Sequence, residues 1–132
     1  MLQTLLQKIA LLALAGALGT LARYGISTAV ARVSGSEFPW GTLAVNVLGC
    51  LAAGLLLALF DARSDSLTHH HTILMVGFLG SFTTFSAFMA DTGDLIQSAT
   101  TLRAAANIVL HNALGIAAFF CGLGIGRHLS LW

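Results

Sequence analysis

Four long apolar blocks divide this chain and leave almost nothing between them. They run from about Leu5 to Ala31, Trp40 to Phe60, Thr72 to Gln97 and Leu102 to Arg127. Each reaches the ~20 residues a helix needs to cross ~30 Å of hydrocarbon. Barrel strands would be about half as long and would alternate apolar with polar residues. Backbone groups in lipid need internal partners, and a helix supplies them within one segment. The blocks therefore predict an all-α integral membrane protein with four transmembrane helices, a single domain over residues 1–132. The connections "VSGSEFP", "DARSDSLTHHH" and the stretch around "SATT" leave no room for a soluble domain. No cleavable signal is evident, since the first block runs on past any small-residue cleavage site.

Charge narrows the partners. Only 8% of residues are charged and the net charge is +1, so nothing points to nucleic acid. Cys50 and Cys121 both lie inside apolar blocks and read as small packing residues. Pro39 suits a helix start, with Trp40 as an interfacial anchor. The glycines of "GALGTLARYG", "GCLAAG" and "GLGIG" suit close helix packing. Four short helices enclose little interior, so a pathway needs more than one subunit.

With four crossings, both termini share one side. Lys8, Arg63 and Arg127 fall on that side; Arg32 and Arg103 fall on the other, with Arg23 inside the membrane near it. A fixed orientation needs a clear excess of Lys and Arg on one side. The balance favours insertion both ways and an antiparallel homodimer.

Polar groups inside a membrane are costly, so each needs an account. Arg23 reads either as a side chain reaching the headgroups or as a cation drawing anions to a vestibule. Asn46 reads either as an interhelical hydrogen bond or as an amide donor to a passing anion. Asn107 and His111 are four apart, share a helix face and read as packing contacts. Asp91 and Asp94 read as a solvated helix end. His69, His70 and His71 are adjacent and lack the spacing of a metal-ligand set. No catalytic grouping and no phosphate-binding loop is present, which argues against an enzyme.

The third block carries "GFLGSFTTFSAF", Gly77 to Phe88, with two Gly, two Ser, two Thr and four Phe. A span that only had to dissolve in lipid would not crowd these together. Gly80-Ser81, followed by Thr83-Thr84, predicts an interrupted helix. Backbone exposed by a break persists only where protein, water or an ion satisfies it. Carbonyls there suit a small cation such as Na+; hydroxyls and amides suit an anion. Phe85 and Phe88, three apart, present ring edges of weak positive potential.

These residues carry a resemblance. "GFLGSFTTFSAF" is similar to the third-helix signature of the Fluc fluoride channels, also called the CrcB family. "GALGTLARYG" and "PWGTLAVNVLG" continue the match, and length and layout fit across the chain. The resemblance implies a dual-topology antiparallel homodimer in the bacterial inner membrane, with two pores that export fluoride passively. It implies that Phe85, Phe88 and Asn46 line the pores. Thr42, Thr84, Ser86 and Asn112 would supply polar groups near the path, and Arg23 would sit at the vestibule. Carbonyls of Gly80 and Thr83 would hold a central structural Na+. The chain departs from the family pattern at Ser81, Ala87, Asp91 and Ile116. The competing readings are a small multidrug exporter of dual topology and a structural membrane subunit. The first wants a carboxylate deep in a helix; the second leaves the hydroxyl and Phe stretch unexplained.

Overall fold

The computed structural model of the chain describes residues 2–61 and 68–130, with side chains at all of these but 68 and 69. Arg63, counted in the charge balance above, lies outside the described residues, as does the side chain of His69. Every regular element described is helical. In chain order these are α1 (Leu2–Ser34), α2 (Trp40–Asp61), α3 (residues 68–82), α4 (Phe85–Gln97) and α5 (Thr101–Leu129). Among the described residues, four stretches are long and apolar enough to cross a membrane, α3 and α4 together forming one of them. The four expected blocks are borne out, each longer than the apolar run alone suggests.

Helix ends follow local chemistry. Gly35 takes the left-handed conformation (φ 79°) just past α1, and its amide closes on the Ala31 carbonyl at 3.1 Å. The short connection then reaches Pro39, whose carbonyl accepts from Leu43 in the first turn of α2. At the end of α4, Ala99 is left-handed (φ 57°). There Thr100 N donates to Leu95 O and Ala99 N to Ile96 O, the two crossed bonds of a Schellman turn. That turn folds α5 back beside α4.

Two helix pairs make the body. Helix α2 packs most extensively on α5, and α1 packs on α3. Both pairs meet at glycine. A methyl group on Gly54 would strike the Phe119 carbonyl, and one on Gly122 would strike the Leu51 carbonyl. Gly126 lies against Ala58 and the Leu55 carbonyl. In the other pair, Gly19 lies against the Phe78 carbonyl and the Ser81 hydroxyl. Lipid gives helices no hydrophobic reason to associate, so this backbone-on-backbone fit supplies van der Waals contact instead. The core joins the pairs: Val45, Leu79 and Phe82 are buried, with Ala22, Ile26 and Phe78 packed against them.

The third span changes partners partway. Residues of α3 face α1 and α2, while α4 packs on α5 through Phe88 and Thr92. Within α3, Ile73–Leu79 is wound as a π-helix, and the Gly80 amide reaches back five residues to Met75 O. The break itself lies at Thr83 (φ −79°, ψ 158°) and Thr84 (φ −151°, ψ 113°), both extended. Of the two pairs that the sequence offers, Gly80-Ser81 and Thr83-Thr84, only the second is extended. Gly80 is helical. Ser81 donates to Gly77 O at 2.7 Å and Phe78 O at 3.0 Å, so its hydroxyl reinforces the turn.

The glycine contacts make a stability prediction. Gly122→Val puts branched carbon against the α2 backbone, where no rotamer change relieves it. We expect a loss of at least about 1–3 kcal/mol. Gly124→Ala, two residues along on a face open within the subunit, should cost nothing. Thermal unfolding of both variants in one detergent checks this; equal midpoints would sink the packing account.

Candidate functional site

The break needs partners for its backbone, and Asn46 provides two. Thr84 N donates to Asn46 Oδ1 at 2.8 Å, and Asn46 Nδ2 donates to Thr84 O at 3.1 Å. The side-chain amide thus pairs with the Thr84 peptide as a neighbouring strand would. Nδ2 carries a second hydrogen beyond this pair. Of the two readings of Asn46, the interhelical hydrogen bond is present, and its target is backbone.

This staple redirects the helical ladder. In a continuous helix the Thr84 amide would close on the Gly80 carbonyl; here it goes to Asn46. The Ala87 amide would close on the Thr83 carbonyl; here it goes to Thr84 Oγ1 at 3.2 Å, an N-cap for α4. The carbonyls of Gly80 and Thr83 therefore lose their regular donors. Thr83 Oγ1 donates back to Leu79 O at 2.9 Å, and Thr83 Cγ2 sits where Gly49 leaves room on α2. The Thr84 and Ser86 hydroxyls are 3.2 Å apart.

A cavity of about 380 Å³ opens beside the break. Thr42, Thr84 and Arg23 line it together, with Thr20, Ser27 and Thr28 of α1. Three residues singled out in the sequence thus converge. No carboxylate pairs with Arg23 among the described residues. A second cavity of about 600 Å³ shares Ser27 and Thr42 and runs to Asp91, Asp94, Glu37 and Arg103. At its rim Arg103 and Glu37 form an ion pair at 2.7 Å, well exposed and so worth little by itself. Asp91 is no freely solvated helix end: it is half-buried, and Oδ2 has no hydrogen-bond partner.

The aromatics divide. Phe88 is buried, and its ring centroid lies 4.4 Å from that of His111. Phe85 is 73% exposed, its ring pointing off the subunit although its centroid is 5.6 Å from Phe88. Asn112 stands apart from the cavities, exposed on α5, with Nδ2 bonded to Ile108 O. Asn107 is fully buried and donates to Thr92 Oγ1 at 2.9 Å, which donates to Phe88 O at 2.7 Å. The sequence reading does not single out Thr20, Ser27, Thr28 or Thr92. Thr20 and Ser27 lie three before and four after Arg23, a spacing that puts all three on one helix face.

Taken together, these features define a multi-pass helical membrane protein whose polar interior is built on an interrupted span. The chain belongs to the family described as CrcB-like protein, Camphor Resistance (CrcB), whose profile matches residues 10–123. It is 47% identical over 120 residues to a protein named fluoride-specific ion channel FluC from Desulforapulum autotrophicum, covering 91% of this chain and 96% of that one. A protein of the same name from Solidesulfovibrio magneticus is 45% identical over 123 residues, covering 93% and 98%. One from Nitrosococcus oceani is 40% identical over 121 residues, covering 92% and 97%.

The staple is open to test. Asn46→Leu keeps the bulk but leaves the Thr84 amide and carbonyl without partners in a part-buried site. We expect a loss of about 1–3 kcal/mol, the cost of stranding such groups. Asn46→Gln should recover part of it only if the longer amide still reaches. Unfolding in detergent reads both; an Asn46→Leu protein as stable as the parent would remove the staple from the account.

Proposed function

We propose that the chain is a fluoride-selective channel that conducts passively. The observation that carries this is the break at Thr83-Thr84, which sets Thr84 on one cavity with Thr42 of α2 and Arg23 of α1. Fluoride is small and holds its water tightly, so a path must offer hydrogen-bond donors as water is shed. Thr84, Ser86, Thr42 and the spare hydrogen of Asn46 are donors of this kind; Asn112, exposed on α5 away from the cavities, would join them only at a face shared with a second subunit. Arg23 raises the local concentration of anions. The edges of Phe85 and Phe88 offer diffuse positive potential without a deep trap. The two cavities share Ser27 and Thr42, which supports a polar run from the Arg103 rim to the break. The names of the relatives support the choice of fluoride.

The finer reading is an antiparallel homodimer in the bacterial inner membrane, with two paths for export and a structural Na+ on the two-fold axis. Phe85, mostly exposed, supports a second subunit against it. The carbonyls of Gly80 and Thr83, freed of their regular donors, are hard oxygen ligands that suit such a cation. Doubling by symmetry makes about four, and the ion's charge offsets part of the cost of an anion in low dielectric. Density for an experimental dimer should show inverted subunits and an ion between the two breaks. Parallel subunits, or side chains filling the axis, would refute this arrangement.

Flux decides the main reading. Proteoliposomes should release fluoride and hold chloride. Phe85→Ile and Phe88→Ile keep bulk and apolarity but remove the ring edge, so each should lower flux roughly tenfold, the effect of about 1.4 kcal/mol. Asn46→Asp should lower it further by setting a possible negative charge in an anion's way. Phe variants with full flux and normal elution would mean that these rings only pack.

A further inference from the structure

A closed ring of contacts holds Phe88. Its carbonyl accepts from Thr92, Thr92 accepts from Asn107, and the Asn107 carbonyl meets His111 Nδ1 at 3.0 Å. The His111 ring then lies against the Phe88 ring, centroids 4.4 Å apart and planes at 36°. A carbonyl only accepts, so Nδ1 bears the hydrogen. That leaves Nε2, at the far edge of the imidazole, with a bare lone pair. Nε2 is buried and has no hydrogen-bond partner. Asn107 Oδ1, in the same ring of contacts, is likewise buried without a partner, but an amide oxygen does not gain charge near neutral pH. His111 holds a proton acceptor ready behind the aromatic that the proposed path uses.

We propose that His111 is a charge-tuning residue behind Phe88: on taking a proton at Nε2 it sets positive charge against that ring and raises fluoride flux in acid. The proton comes from solvent and binds the lone pair; no other bond changes. Histidine is the side chain whose charge ordinarily changes between about pH 5 and 8. The positive charge then reaches fluoride through Phe88, whose ring edge already favours an anion. The inference rests on the reading of Phe88 as part of a fluoride path. The other ionisable groups on the elements packed here are Asp91 and Asp94 on α4, the first one turn beyond Phe88, and Cys50 and Asp61 on α2, with Cys50 against Gly115 one turn along α5. Along α5 itself, Arg103 lies about two turns before His111, Cys121 nearly three turns after it, and Arg127 and His128 in the last turn.

The test is fluoride efflux from proteoliposomes at steps between about pH 5 and 8, with protein-free vesicles subtracted for leakage of hydrogen fluoride. The parent protein should conduct severalfold faster at the acid end. His111→Gln and His111→Phe should conduct with a flat profile, the second keeping the ring stack. Asp91→Asn and Cys50→Ser should keep the slope, whatever their absolute flux. A flat parent profile, a fall in acid, a slope retained by both His111 variants, or a slope lost in Asp91→Asn would overturn the inference. Flux that persists without a role for His111 leaves the channel reading standing. No protein-dependent fluoride flux at any pH removes both.

Discussion

Two hydrogen bonds between Asn46 and the Thr84 peptide allow everything else about the third span. A membrane helix is safe because its backbone is closed on itself, and a break opens several groups that lipid cannot serve. Here one side chain from a neighbouring helix takes the Thr84 amide and carbonyl together. The Thr84 hydroxyl then starts the next helix by capping Ala87. Remove the amide and the extended pair Thr83-Thr84 loses the partners of its exposed backbone. The freed carbonyls, the place of the Thr84 hydroxyl and the turn of Phe88 toward α5 go with that pairing.

The break also solves a packing problem. Helix α3 fits α1 because Gly19 lets the two backbones touch, and Gly77 is hemmed in by Ala15. Helix α4 belongs instead to α5, through Phe88, Thr92 and Asn107. One straight helix cannot serve both partners, since its faces are set by a single 3.6-residue period. Two extended residues reset that phase. The π-wound turns before the break shift the phase as well, because five-residue bonds widen the helix locally.

Hydropathy made the four spans readable, since length and apolarity are properties of the segment alone. The presence of an interruption was readable too, from hydroxyls crowded into "GSFTTFS". Which of its two pairs leaves the helix was not. Glycine at Gly80 permits a break but does not impose one, and Ser81 can bond back to its own helix as easily as it can leave it. What decides is Asn46, 38 residues away in sequence, and no local pattern states that pairing. The π-helix is invisible for a similar reason: Ile73–Leu79 is apolar throughout. Arg23, Thr42 and Thr84 could be named from the sequence because charged and hydroxyl groups are rare in such spans. Their meeting in one cavity is a fact of helix rotation, which depends on the glycines that set the packing.

The glycine seam between α2 and α5 bears on how chains of this kind vary in length. Gly115, Gly122 and Gly126 keep their places against α2 only while the residue count between them is held. One inserted residue would turn the rest of α5 by about 100°, the angle per residue of a helix. Gly126 would leave Ala58, and a bulkier neighbour would arrive in its place. Composition on the lipid-facing sides has wide freedom, but insertions and deletions within this stretch do not. An inserted residue therefore disturbs the packing less in the connections or at the helix ends than within this stretch.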